Sequence, residues 1–132
     1  MQSTYFLSDA TTGEMKAIFN GDELTVRRTA CASALASSYL SSPTAETLLM
    51  MGTGKLAPHL IRAHIAVRNL SRIYLGGRRF ERAERLAIKL NDELPVDVTA
   101  INDLKKYTKI ADIISCATLS KDPILKGKWL NY

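Results

Sequence analysis

The chain has 132 residues, 46% of them hydrophobic and 23% charged. This is the balance of a globular domain with a core of its own, and it excludes disordered, collagen-like and two-domain chains. The net charge of +5, from 18 Lys and Arg against 13 Asp and Glu, points to an anionic partner: nucleic acid, a membrane surface or a phosphorylated cofactor.

No apolar run approaches the roughly 18 residues that a membrane-spanning helix needs. The segment up to Met15 has neither the basic nor the apolar region of a secretory signal. Cys31 and Cys116 lie far apart and outside any CxxC pattern, so they read as buried, reduced thiols of a cytoplasmic protein.

In chain order, residues 5–7 and 17–19 are short apolar runs separated by Thr11, Thr12, Gly13 and Glu14, a β-hairpin pattern. Asn20, Gly21 and Asp22 break the second strand. An Ala-rich segment without Pro follows over 22–40 and reads as a helix. Leu24, Ala32, Leu35 and Tyr39 fall near helical spacing on it, and the small residues between them point to close packing against a neighbour.

Beyond Pro43 the pattern alternates. The apolar run Thr47–Met51 reads as a strand buried on both faces. A helix is expected over 56–68, a strand over 72–75, a helix over 80–90 and a short strand over 96–100. A short helix over 101–107 and a strand over 112–117 complete the series. Strand and helix alternation of this kind means βαβ units and a parallel sheet.

The sharpest local signal is Gly52-Thr53-Gly54-Lys55-Leu56-Ala57, a GxGxxA turn between strand and helix. Gly52 allows the tight turn, Gly54 lets a pyrophosphate approach the backbone, and Ala57 keeps the helix close to the strand. Free N–H groups at the helix start then face the phosphate oxygens. The missing GK[ST] ending argues against a P-loop. Lys55 has two readings, a phosphate contact or a solvent-facing lysine.

The next strand ends in Gly76-Gly77-Arg78-Arg79, with no carboxylate before Glu81. NAD-selective sites place Asp or Glu there on the ribose 2′-hydroxyl, whereas guanidinium groups suit a 2′-phosphate. The ending favours NADP(H) over NAD(H), with Gly76 and Gly77 leaving room for the adenosine. The plainer alternative is a solvated turn. His59 and His64, five apart, have the wrong spacing for a shared metal and read as ordinary helix residues. Asp112 reads as a local cap. The basic residues are scattered and not interleaved with aromatics, which argues against nucleic acid.

Four segments together resemble the ornithine cyclodeaminase/mu-crystallin family. They are Leu24-Thr25-Val26-Arg27-Arg28-Thr29-Ala30 with Ala32-Ser33-Ala34-Leu35-Ala36 after it; the glycine turn continued by Pro58-His59-Leu60-Ile61-Arg62-Ala63-His64; Gly77-Arg78 with Ala83; and 111–120 with Pro123, Gly127, Trp129 and Leu130. The second segment is similar to the ketimine-reductase branch.

The resemblance implies an α/β, Rossmann-type parallel sheet with helices on both faces, incomplete at its C-terminus and preceded by a hairpin and long helix. Residues 1–42 would belong to or link with a substrate and dimerisation domain, and 43–132 would form the truncated NAD(P)-binding domain. The implied activity is hydride transfer to cyclic α-imino acids of the ketimine or pyrroline-2-carboxylate type. The alternatives are a non-catalytic NADPH-binding module or an ornithine cyclodeaminase.

By the same resemblance, Arg28 serves substrate carboxylate and cofactor, and a guanidinium fork is suited to holding a carboxylate beside a C=N carbon. Thr29 is expected on the cofactor phosphates. Gly52, Thr53, Gly54, Lys55, Leu56, Gly77, Arg78 and Arg79 are expected on the dinucleotide, and Thr118 and Leu119 beside its nicotinamide. The family's substrate lysine would precede Met1 and its proton-transfer aspartate would follow Tyr132, so the chain reads as a central slice of such an enzyme. The expected partners are a small imino or amino acid and a second copy or complementing chain, with no nucleic acid and no membrane.

Overall fold

The computed structural model describes residues 3–130. Strands β1 (Thr4–Ser8) and β2 (Met15–Asn20) pair antiparallel. Their turn is held by Asp9, whose Oδ1 accepts the N–H groups of Thr11 and Thr12 at 2.9 and 3.0 Å. Gly13 supplies the left-handed residue, with φ +75°. Asn20 then caps helix α1 (Gly21–Leu40), its side chain accepting from the N–H groups of Asp22 and Glu23.

The helix buries Ala30 and Ala34, one turn apart, and packs on α2 (Leu56–Val67). Leu24, Ala32, Leu35 and Tyr39 do form one stripe, but it points away from α2. Leu35 is 57% exposed and Tyr39 80% exposed. The small residues between them make the close packing, as expected: Ala30 and Ala34 are buried and let the two helix backbones approach, while the larger apolar side chains stay outside. Ala30 belongs to the same core cluster as the sheet, so α1 is packed onto the unit that follows it.

The main sheet is parallel throughout, in the order β5-β4-β3-β6, with β3 (Thr47–Met51), β4 (Arg72–Gly76), β5 (Asp97–Ile101) and β6 (Ile113–Cys116). Helix α3 (Phe80–Glu93) joins β4 to β5, and the short α4 (Leu104–Thr108) joins β5 to β6. Successive residues of each strand face opposite sides. Leu48, Met50, Ile73, Leu75 and Val98 pack with Leu60 and Ile61 of α2 and with Ala83, Ala87 and Leu90 of α3. Leu49, Met51, Tyr74 and Ile101 form the other core with Leu104 and Tyr107 of α4 and with Ile124. Helices thus lie on both faces, the second covered by a single five-residue helix.

Strand β5, helix α3, helix α4 and strand β6 have bounds that differ from expectation. Ile101 remains in β5, paired with Gly76, so α4 starts later, at Leu104 with Asp103 as its cap. Asp112 acts at long range: its Oδ2 accepts the N–H groups of Glu46 and Thr47 at 3.0 and 2.9 Å, fixing β6 beside β3. Cys31 and Cys116 are both exposed free thiols, which corrects the buried reading. Cys116 sits on β6, a sheet edge with only one neighbour strand, and Cys31 faces out from α1.

Candidate functional site

The strand order reverses between β3 and β6: the chain lays β4 and β5 on one side of β3, then crosses to place β6 on the other. In open α/β sheets that switch point, outside the carboxyl ends of the strands, is where ligands bind. A cleft of about 560 Å³ lies there. Its walls come from three strand ends: Met51 to Gly54 after β3, Gly77 to Arg79 with Arg82 after β4, and Ala117 to Ser120 with Ile124 after β6.

Gly52 is the point of closest approach. Its φ is +124°, its N–H donates to the Gly76 carbonyl at 2.9 Å, and a Cβ there would overlap the Ala117 carbonyl oxygen. The Ala117 N–H in turn donates to the Met51 carbonyl at 2.7 Å. Gly54 is different: nothing lies within 4 Å of where its Cβ would be, so its backbone is open to the cleft. Ala57 is wholly buried in the core, where a larger side chain would push α2 off the sheet.

Gly76 and Gly77 serve packing in a way the sequence did not show. A Cβ on Gly76 would meet the Met51 sulfur at 2.6 Å, and one on Gly77 would meet Thr53 Cγ2 at 2.9 Å. Met51 and Thr53 thus take part of the space that these glycines open, and Gly77 still lines the cleft.

The N-termini of α2 and α3 both flank the cleft and neither has a side-chain cap. Helices α1 and α4, which start elsewhere, are capped by Asn20 and Asp103. The uncapped N–H groups and the positive end of the helix dipole suit an anion. Three arginines line the cleft, Arg78, Arg79 and Arg82, and no Asp or Glu among the described residues does.

Eight of the twelve sequence-predicted site residues line the cleft: Gly52, Thr53, Gly54, Gly77, Arg78, Arg79, Thr118 and Leu119. Leu119 is fully exposed, an apolar side chain with nothing packed over it. Arg28, Thr29, Lys55 and Leu56 do not line it. Lys55 pairs with Glu23 of α1 at 3.0 Å, and this contact holds the Glu23 carboxyl below its usual value. Leu56 packs against the core. The Thr29 hydroxyl donates to the Thr25 carbonyl of its own helix at 2.7 Å. Arg28 is exposed on α1 with no ion pair among the described residues.

Met51, Arg82, Ala117, Ser120 and Ile124 also line the cleft and were missed. Arg82 carried a signal, three residues after Arg79 at a helix start; Ile124 had none, since only the folded chain returns it to Met51.

His64 is almost wholly buried between α1 and α2, its Nε2 3.3 Å from the Ser33 hydroxyl. Its Nδ1 has no partner among the described residues, and burial pushes its pKa down. It is a neutral packing residue remote from the cleft. No helix among the described residues is long and apolar enough to cross a membrane.

The sheet order, the glycine turn and the cleft at the switch point define a Rossmann-type α/β fold. The chain belongs to the ornithine cyclodeaminase/mu-crystallin family, which it matches over residues 1–132. It is 50% identical to an uncharacterised protein of Schizosaccharomyces pombe, across 99% of this chain and 41% of that protein. It is 38% identical to a Delta(1)-pyrroline-2-carboxylate reductase of Colwellia psychrerythraea, across 88% of this chain and 37% of the relative. The Thermococcus litoralis Delta(1)-pyrroline-2-carboxylate reductase, solved with NADH and L-proline, superposes with a TM-score of 0.92 at 26% identity, over 98% of this chain and 40% of that one. The chain thus spans about two fifths of the length of the curated relatives it matches.

Proposed function

We propose that this chain carries the NADP(H) half-site of an oxidoreductase that reduces cyclic α-imino acids. The observation that carries the cofactor reading is the cleft at the switch point, with two uncapped helix starts and three arginines against no Asp or Glu among the described residues. The turn fits a dinucleotide: Gly54 leaves its backbone open, and Gly52 draws the strand ends together beneath it. The α2 N-terminus holds the pyrophosphate. Arg78 and Arg79, at the end of β4, hold the 2′-phosphate. Thr118 and Leu119, across β3 at the end of β6, border the nicotinamide, where Leu119 gives the ring an apolar surface.

When bound, the cofactor supplies a hydride to the imine carbon while a proton goes to the nitrogen. Arg28 holds the carboxylate beside that carbon and Thr29 contacts the phosphates, roles that rest on the family resemblance, since neither residue lines the cleft. The substrate class rests on the pyrroline-2-carboxylate reductase relatives and on L-proline in the Thermococcus litoralis structure. A second copy or a complementing chain completes the substrate side.

The experiment is a fluorescence titration of NADPH and NADH. NADPH binding at least tenfold tighter is expected, falling towards the NADH value when Arg78 and Arg79 are replaced by Ala. Equal affinities overturn the 2′-phosphate assignment, and no binding of either overturns the half-site.

A second reading is an NADPH-binding module without turnover. It shares the cofactor contacts of the cleft with the first reading and differs only in whether a bound imino acid is reduced. Tight NADPH binding without oxidation in the presence of cyclic imino acids supports the module, and turnover supports the reductase.

A further inference from the structure

We propose that Arg82 is a specificity-determining residue of the cleft, completing with Arg78 and Arg79 a three-guanidinium seat for a phosphate monoester on the adenosine ribose. The proposal rests on the dinucleotide reading above and deepens it.

The sheet order decides where the charge lies. With β4, β3 and β6 side by side, the arginines stand at the β4 end of the cleft. The glycine turn occupies the middle, and uncharged Thr118, Leu119 and Ser120 the β6 end. A dinucleotide laid across this gradient has its pyrophosphate over Gly54 and its adenosine ribose at the arginines.

The helix geometry decides which charges face inward. Ala83, Ala87 and Leu90 mark the buried face of α3. At about 100° per residue, Arg82 lies about a quarter-turn from the centre of that face, on its flank, where it lines the cleft. Glu81, the first carboxylate after β4, lies nearly opposite the buried face and does not line the cleft. The helix turns that carboxylate away and brings Arg82 in. Arg82 follows Arg79 by one short turn, its N–H donating to the Arg79 carbonyl at 3.2 Å.

The three guanidinium groups have no acidic partner among the described residues, although other cations of the chain do: Arg27 and Lys55 pair with Glu23, Arg62 with Glu93, and Lys16 with Asp9 and Glu14. Three like charges on one short segment repel one another and call for a multivalent anion. A phosphate monoester carries close to two negative charges and three acceptor oxygens, enough for three forks. The 2′-hydroxyl of NADH carries no charge for Arg82 to meet.

The test is R82Q, with helical content checked by circular dichroism and NADPH and NADH titrated by fluorescence. The expected result is about a tenfold loss of NADPH affinity, with NADH changed less than twofold and R82K intermediate. An unchanged NADPH affinity, or equal losses for both dinucleotides, overturns the role of Arg82. These outcomes leave the cofactor reading standing if the unaltered protein prefers NADPH. Equal affinities, or no binding, in the unaltered protein overturn the cofactor reading and this inference with it.

Discussion

Gly52 and Gly54 stand two residues apart in one turn and do different work. Gly52 is required by the fold: its φ of +124° and the Ala117 carbonyl leave no place for a Cβ. Gly52→Ala is expected to cost about 3 kcal/mol or more, read as a lowered midpoint in urea unfolding. Gly54 has open space and no left-handed φ, so Gly54→Ala should stay within about 1 kcal/mol of the parent. It should nevertheless weaken NADPH binding, because the added methyl stands where a pyrophosphate must approach the backbone. A Gly54→Ala protein that binds NADPH as the parent does would remove the turn from the site. The glycines themselves were plain in the sequence, since their spacing is a local pattern. Their separate roles were not, because the Ala117 carbonyl is 65 residues away from Gly52 in the chain.

At the scale of elements, every strand and α-helix was legible from local pattern, and what was missed is what holds them to one another. Arg68, which follows α2, is the clearest case. Its guanidinium donates to the carbonyls of Ser37, Ser38, Ser41 and Ser42 at 2.8–3.1 Å, capping the C-terminus of α1 from another element. The last carbonyls of a helix have no partner within it, and a planar fork with five donors can serve several at once. Arg68→Ala is expected to destabilise the protein by about 2–4 kcal/mol in chemical unfolding, and Arg68→Lys to restore only part of this. A loss below about 0.5 kcal/mol would show that water caps the helix equally well. Nothing in the sequence around Arg68 marks it, since its partners lie about thirty positions earlier. The apolar stripe of α1 shows the same limit from the other side. Helical periodicity located Leu24, Leu35 and Tyr39 on one face, but not which way that face points.

For the whole molecule, that outward stripe joins a second unpartnered surface. The hairpin carries apolar side chains on both faces: Tyr5 opposite Phe19 on one, Phe6 opposite Ile18 on the other, all at least 45% exposed. A two-stranded ribbon is marginal alone in water and is stabilised by covering such faces. We therefore expect the chain by itself to associate through the hairpin. The double substitution Phe6→Ser with Ile18→Ser should weaken that association by about tenfold or more in sedimentation velocity. A parent protein that sediments as a single monomer species at every concentration would sink this expectation. What the amino-acid sequence determined alone were the properties carried by near neighbours in the chain: the order of strands and helices, the glycine turn, and the arginines after β4. Those follow from residue periods of 2 and 3.6 and from backbone freedom at single positions. Only the tertiary structure decided which residues meet. It brought Ile124 back to Met51, paired Lys55 with Glu23, turned Glu81 out and Arg82 in, and filled part of the space at Gly77 with Thr53. The physical reason is that contact depends on how elements pack across a sheet, and packing selects among faces that local pattern leaves equivalent.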